Sequence, residues 1–175
     1  MDLSILVWIN VHLVTPWGSA FYEFITNLWG YGFIFIPLSI ALLAKPDRRR
    51  TGLIVVGALL AALIAVNLGI KPLFDRPRPF TTYPVELTIP VPHGSSFPSS
   101  HTASAFAFAV AYFIQEKNRL RWLFLVFAGL VAFSRLYLFV HYPSDVLIGI
   151  LIGIACAFFS SWIVNKIYPQ SSFDQ

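Results

Sequence analysis

Charged residues are scarce in this chain. Only 11% of its 175 residues are Asp, Glu, Lys or Arg, whereas 57% are hydrophobic. A soluble globular domain carries about 25% charged residues, so the composition excludes an ordinary soluble protein and indicates a membrane protein. The single cysteine, Cys156, excludes an internal disulfide, and its apolar neighbours indicate a packing role.

Linkers, repeats and a long basic face are also absent. No Ser/Gly-rich tract, low-complexity segment or internal repeat divides the chain, so we expect residues 1–175 to form a single domain. The net charge of +4 comes from cations in short loops and small clusters, which argues against nucleic-acid binding. A cleaved signal peptide is disfavoured, because the first residues lack a basic segment and a small-residue cleavage site.

Hydrophobic runs account for most of the chain. Five of them approach the roughly 20 apolar residues that cross a bilayer as a helix, and they cover 18–44, 51–70, 99–115, 121–141 and 145–165. Residues 1–14 are too short to cross and mix polar with apolar side chains, which is typical of an interfacial helix. The predicted fold is therefore all-α: an integral membrane helical bundle of five transmembrane helices plus an N-terminal interfacial amphipathic helix.

Lysine and arginine predict the orientation of these spans, because short cytoplasmic loops are enriched in both. Most of the cations follow the first, third and fifth spans: Lys45, Arg48, Arg49, Arg50, Lys117, Arg119, Arg121 and Lys166. We expect those ends to face the cytoplasm and the loop 71–98 to face outward from a plasma membrane. The short chain and compact loop suggest a bacterial inner membrane.

Three polar clusters lie at the outward ends of the spans, in residues 71–79, 98–101 and 134–145. An ionisable group at membrane depth costs roughly 2.5 to 3.5 kcal/mol on insertion scales, so such groups need a function or a partner. Topology brings all three clusters to one membrane face. The cations in the first cluster depart from the expected charge pattern, and we interpret them as ligands of a bound anion.

The cationic side chains suit a tetrahedral oxyanion. Lys71, Arg78 and Arg135 supply positive charge, and a guanidinium can hold two phosphate oxygens at once. For Arg76 we favour snorkelling towards lipid headgroups or pairing with Asp75.

A second motif, Ser99 and Ser100, precedes an apolar run, so these serines either cap a helix or donate to a phosphate at its start.

Two histidines can carry the chemistry. His101 is suited to protonate a leaving oxygen, because histidine titrates near neutral pH. We expect Asp145 in the first turn of the last span, after Pro143, where its carboxylate can orient His141 for nucleophilic attack. These three side chains could instead hold a metal, but the nearby cations would repel a divalent ion. His93 has no assigned role.

Together, the clusters resemble the tripartite signature of the type 2 phosphatidic acid phosphatase family, which includes integral-membrane lipid phosphatases and vanadium-dependent haloperoxidases. The matching residues are Lys71, Arg78, Pro79, Pro98, Ser99, Ser100, His101, Ser134, Arg135, His141 and Asp145. Ser100 is the one variation, since the family commonly has glycine there. The resemblance implies that His141 forms a phosphohistidine, that Asp145 orients it and that His101 is the acid. It assigns the phosphate to Lys71, Arg78, Ser99, Ser100 and Arg135.

The implied function is that of a metal-independent membrane lipid phosphatase without a cofactor. Its substrate would be undecaprenyl diphosphate, phosphatidylglycerol phosphate, phosphatidate or the 1-phosphate of lipid A, and its surroundings the lipid bilayer. The loop 80–97 could cover the headgroup and select the substrate. Two alternatives remain at this stage: a transferase that passes the phosphoryl or lipid-phosphate group to another acceptor, and a non-catalytic lipid-binding protein. No protein partner or oligomeric state is predicted.

Overall fold

The regular structure is helical in the computed structural model, which describes residues 2–30 and 33–168, and no strand occurs within these ranges. The helices are α1 (Asp2–Leu13), α2 (Pro16–Gly30), α3 (Phe35–Ala44), α4 (Arg49–Leu63), α5 (Pro79–Thr82), α6 (Ser100–Gln115), α7 (Leu120–Tyr137) and α8 (Pro143–Ile167). A 3₁₀ turn (Pro46–Arg48) precedes α4. A π-helical stretch (Ile64–Ile70) and a second 3₁₀ turn (Lys71–Leu73) extend α4 to the first polar cluster.

Long apolar stretches confirm the predicted membrane-protein fold. Four stretches, 46–73, 120–137, 143–167 and, with residues 31–32 outside the description, 16–44, have the length and composition to cross a membrane. The remaining predicted span, 99–115, corresponds to α6, which has 16 residues and packs against α4, α7 and α8. Apolar side chains such as Leu68, Leu123 and Trp162 project from the outside of the bundle. Apolar surface of that extent is typical of a face that contacts lipid.

Two predicted spans differ from the helices observed. The segment 18–44 forms α2 and α3 rather than one helix, and Pro37 lies in the first turn of α3, where its missing N–H breaks no intrahelical bond. The segment 121–141 ends as a helix at Tyr137, because the backbone turns into the left-handed region at Phe139 (φ 59°). His141 therefore lies in the connection between α7 and α8 and not on a helix.

The interfacial helix α1 is present as a 12-residue apolar helix. Leu6 and Ile9 are buried, whereas Ile5 and Trp8 are exposed. Apolar side chains thus lie on both sides of α1, which is less strictly amphipathic than predicted. Leu6 packs against Phe139, so α1 lies at the end of the bundle where α7 meets α8.

The centre of the bundle is the contact between α6 and α8. The alanines of α6 are buried, and a Cβ atom at Gly153 would lie only 2.5 Å from the carbonyl oxygen of Ala103. Small residues at this crossing let the two backbones touch, as they do in many membrane helix pairs. One consequence is that the Ser99 N–H donates to the backbone oxygen of Asp145 (3.1 Å), which joins the second polar cluster to the third.

The opposite end of the bundle collects the cations predicted to face the cytoplasm. Arg50, at the start of α4, donates to Gln115 at the end of α6 (2.9 Å) and to Asn165 near the end of α8. Thr51 donates to Glu116 (2.8 Å) at the same end. The three polar clusters lie at the other end of the same helices, so the two charged regions are separated by the length of the bundle.

Candidate active site

Both carboxylate oxygens of Asp145 accept hydrogen bonds. Asp145 lies in the first turn of α8, as predicted, and is completely buried. Its Oδ2 accepts from Ser96 Oγ (2.5 Å) and from the Tyr142 N–H (2.9 Å), and its Oδ1 accepts from Arg76 Nη1 (2.5 Å). A carboxylate so bonded stays ionised, because every partner favours the charged form.

His141 is held by the turn that ends α7. The N–H groups of Val140 (3.2 Å) and His141 (3.3 Å) both donate to the carbonyl oxygen of Arg135. This turn carries the imidazole towards the start of α8, where Nδ1 lies 3.6 Å from Asp145 Oδ2. Nδ1 has no hydrogen-bond partner within the described residues. His141 and Asp145 are therefore adjacent, as predicted, and a small movement would bring Nδ1 and Oδ2 within hydrogen-bonding distance.

The other imidazole nitrogen faces a guanidinium. Arg78 Nη1 lies 3.4 Å from His141 Nε2, and an arginine can only donate. Nε2 must then accept, which leaves the proton on Nδ1, on the side of Asp145. The pKa of His141 falls to about 4, because burial and the charges of Arg135 and Arg78 lower it more than the Asp145 carboxylate raises it. The imidazole is consequently neutral at pH 7, with a lone pair on Nε2, as a nucleophile requires.

Most N–H groups of the Arg78 guanidinium donate to other groups of the protein. Its guanidinium donates to the carbonyl oxygens of Gly94 (3.1 Å), Val140 (3.0 Å) and His93 (3.2 Å), and only 6% of the residue is exposed. These bonds tie the loop 80–97 to the turn of His141. In this arrangement Arg78 positions the turn, and His93 contributes its backbone rather than its ring.

Arg135 and Lys71 retain donors for a ligand. Arg135 Nη1 donates to Thr26 Oγ1 on α2, whereas its buried Nε has no partner among the described residues. Lys71 is half-buried, and no described carboxylate lies within 4 Å of its ammonium group. Lys71 interacts electrostatically with Arg78, Arg135 and Asp145, so the structure brings these charged residues to the same end of the bundle.

The second cluster begins α6. Ser99 caps this helix, since its Oγ accepts from the backbone N–H of Thr102 (3.4 Å), and Ser100 donates to Asn67 Oδ1 (2.9 Å) in the π-helical stretch. Both hydroxyls thus have protein partners, while the first backbone N–H groups of a helix have none within it. His101 follows in the first turn and interacts electrostatically with Arg135, His141, Lys71 and Arg78.

Two cavities meet at Gly30 and His101. One, of about 260 Å³, is lined by Arg135, Thr26 and the loop residues around Pro90. The other, of about 280 Å³, has largely apolar walls from Trp29, Phe35, Leu59, Leu60, Ala62 and Leu63, with Asn67, Ser100, His101 and Ser104 at its polar end. A methyl group at residue 30 would lie 2.8 Å from His101 Nε2, so any larger residue than glycine would displace the imidazole ring of His101.

Arg76 is the main departure from the sequence prediction. We expected it to snorkel or to pair with Asp75, but it forms ion pairs with Asp145 (2.5 Å) and Asp2 (2.9 Å). Ser96, which also binds Asp145, was missed as well. The repeated Arg-Pro at 76–79 and the Ser-Ser at 95–96 are the only local signals for either residue.

A metal centre has no obvious ligands, because no group of three His, Cys, Asp or Glu in the described part of the chain is arranged to hold one.

Comparison with known proteins gives a consistent set of relatives. The sequence model of the PAP2 superfamily matches residues 51–169. The chain is 31% identical over 135 residues to the undecaprenyl-diphosphatase BcrC of Bacillus subtilis, covering 77% of this chain and 69% of that protein. It is 28% identical to phosphatidylglycerophosphatase B of Haemophilus influenzae, covering 90% of this chain and 78% of that protein. The crystal structure of LpxE from Aquifex aeolicus matches with a TM-score of 0.80 and 32% identity, over 91% of this chain and 93% of that one.

Proposed function

Because the chain belongs to the PAP2 superfamily and is a membrane lipid phosphatase, we propose that it hydrolyses a polyprenyl diphosphate through a phosphohistidine on His141. The reaction takes place at the outward face of the membrane and needs no metal. Undecaprenyl diphosphate is the first substrate to test, since relatives from Bacillus subtilis, Sulfolobus acidocaldarius and Escherichia coli carry the name undecaprenyl-diphosphatase, the last as a putative one.

The observation that carries this proposal is the junction of the two cavities at His101. The guanidinium of Arg135 in the first cavity suits an anionic headgroup, and the apolar cavity along α4 suits a hydrocarbon chain. A substrate that occupies both would place its phosphate ester or anhydride oxygen next to His101. This arrangement fits a lipid phosphate better than a soluble phosphate ester, which would leave the apolar walls without a contact.

The proposed chemistry follows from the side chains. His141 Nε2 attacks the terminal phosphorus, and the bond from phosphorus to the bridging oxygen breaks while His101 donates a proton to that oxygen. His101 then accepts a proton from water, whose oxygen attacks the phosphohistidine and releases inorganic phosphate and neutral His141. Lys71 and Arg135 stabilise the negative charge on the phosphoryl oxygens, which is the main requirement of a loose phosphoryl-transfer transition state.

A phosphate-release assay tests both the substrate and the nucleophile. The purified protein in detergent micelles is incubated with undecaprenyl diphosphate, phosphatidylglycerol phosphate, phosphatidate and lipid A. We expect the largest kcat/KM for the first of these, and no release by His141→Ala. His12→Ala is the matched control, because His12 is exposed on α1, where it hydrogen-bonds to the backbone oxygen of Trp8 and stacks on the Trp8 ring. Normal turnover by His141→Ala would remove this residue from the nucleophile role.

The proposed orientation can be tested separately. Glu86 lies exposed in the loop 80–97, and Asp47 lies exposed at the opposite end of the bundle. In a Cys156→Ser background, intact cells carrying Glu86→Cys should react with a membrane-impermeant maleimide, whereas those carrying Asp47→Cys should react only after lysis. The reverse pattern would place the site on the cytoplasmic face.

A further inference from the structure

We infer that Arg76 and Asp2 form a clamp that positions Asp145 against His141, and that α1 is thereby part of the catalytic architecture. This inference rests on the proposed roles of Asp145 and His141. It assigns a positioning function to an arginine outside the three-cluster signature and to an interfacial helix that the signature does not include.

Arg76 is the link between α1 and the start of α8. Its Nη1 donates to Asp145 Oδ1 (2.5 Å) and to Ser144 Oγ (2.7 Å), and its Nη2 donates to Asp2 Oδ2 (2.9 Å). Ser144 in turn donates to the same oxygen of Asp2. The guanidinium carbon also lies 4.1 Å from the centre of the Tyr142 ring. Both Nη groups and one face of the planar group are thus in contact, and these contacts orient it.

The geometry of Asp145 explains why this orientation matters. Ser96 and the Tyr142 N–H both bind Oδ2, and together they locate that oxygen. They hold one end of the carboxylate and leave its plane able to rotate about that oxygen. Among the described side chains, only Arg76 bonds Oδ1, so Arg76 sets this rotation and with it the direction of the Oδ2 lone pairs. Those lone pairs must meet the Nδ1–H of His141, which lies 3.6 Å away.

Asp2 completes the clamp from the side of α1. Burial raises the pKa of Asp2, but hydrogen bonds from Ser144 and Arg76 lower it more, so the net shift is downward and the carboxylate is charged. One turn along α1, the buried Leu6 packs against Phe139 and Tyr142, the residues two before and one after His141. The helix therefore contacts the nucleophile's turn through an apolar contact and the orienting carboxylate through an ionic one.

Loss of a contact that positions Asp145 has a different effect from loss of a contact that only stabilises the fold. Loss of positioning slows the chemical step in protein that is fully folded, with little change in substrate binding. Loss of stability alone lowers the melting temperature and leaves kcat per folded molecule unchanged. Arg76 and Asp2 each keep about a third of the side chain exposed, so substitutions there should fold.

The test compares Arg76→Lys and Asp2→Asn with Asp75→Asn in detergent micelles. Asp75 is the matched control, since it is an exposed carboxylate next to Arg76 in sequence and forms no ion pair within 4 Å among the described residues. We expect kcat to fall about 10- to 100-fold for Arg76→Lys and about 3- to 10-fold for Asp2→Asn, the range of residues that orient a reacting side chain. KM and the melting temperature should change little, and Asp2→Glu should recover most of kcat.

Binding of two anions supplies a readout that does not depend on turnover. Vanadate can form a bond to the Nε2 atom of a correctly placed His141, whereas inorganic phosphate needs only the cationic side chains. Arg76→Lys should therefore weaken vanadate binding by calorimetry about as much as it lowers kcat, and leave phosphate binding within about twofold.

The outcomes separate the two proposals. If Arg76→Lys and Asp2→Asn match Asp75→Asn in both kcat and vanadate affinity, or change KM alone, the clamp is refuted. If the wild type releases no phosphate from any lipid, the proposed function fails, and the vanadate comparison still decides whether Arg76 positions His141. If the wild type releases phosphate but does not bind vanadate, the proposed function stands and the kcat comparison decides the clamp.

Discussion

Replacing Asp145 with asparagine preserves the shape of this side chain and removes its charge. Asp145 accepts on both oxygens, from Arg76 on Oδ1 and from Ser96 and the Tyr142 N–H on Oδ2. Asparagine has one accepting oxygen and an NH₂ group that only donates. Either orientation of the amide therefore brings two donors together, at Arg76 Nη1 or at the Tyr142 N–H.

The expected loss of stability can be worked from these contacts. Removing one partner of a fully buried ion pair costs about 3 to 5 kcal/mol. Asp145 is completely buried, but 31% of the Arg76 side chain is exposed, so water can solvate the remaining charge and we expect about 2 to 4 kcal/mol. For a chain of this size each kcal/mol shifts the melting temperature by about 2 to 4 °C, so the variant should melt about 4 to 16 °C lower.

Activity should fall further than stability. An asparagine in place of an orienting aspartate lowers kcat by about 10⁴ in a Ser-His-Asp triad, because the imidazole then adopts the wrong tautomer. Phosphate release at a temperature well below melting, together with a fluorescence melting curve in the same detergent, measures both effects. Asp75→Asn is the control for removing a carboxylate near the site. If Asp145→Asn melts within about 2 °C of wild type, the burial reasoning is wrong; if it keeps most of its kcat, Asp145 does not orient the nucleophile.

Three further predictions concern the histidines and the reaction conditions. The pKa of His141 is lowered from 6.5 in the unfolded chain to about 4 in the folded protein, chiefly by burial. Between these pH values the unfolded chain binds more protons than the folded one, so the free energy of unfolding should fall as the pH drops from 6.5 to 4. In His141→Asn the melting temperature should fall less over the same pH range. Gly30→Ala should lower kcat about 10²-fold by displacing His101, as misplacement of about 1 Å can do, whereas Gly129→Ala, whose Cβ meets no atom within 4 Å, should retain normal activity. EDTA should leave phosphate release unchanged, and a loss of activity that added metal restores would refute the metal-free reaction.

Local pattern was enough for the class of protein and for the approximate place of the site. Long apolar runs predict membrane helices because the free energy of burying a side chain in lipid adds up along the segment. The spacing of Pro143 and Asp145 correctly predicted an aspartate in the first turn of α8, since helix starts are determined by neighbouring residues. The alternation of spans then required the three clusters to share one end of the bundle.

Tertiary structure decided how the polar groups are partnered. Asp2 and Arg76 are 74 residues apart in the chain, and Arg135 and Thr26 are 109 apart, so no local pattern could relate them. The same holds for Arg78, whose donors go to backbone oxygens. Because charged residues are scarce and each one costs free energy in an apolar environment, the sequence shows which residues need a partner or a ligand. Which of them bind a ligand and which hold one another depends on distances that only the packed helices establish.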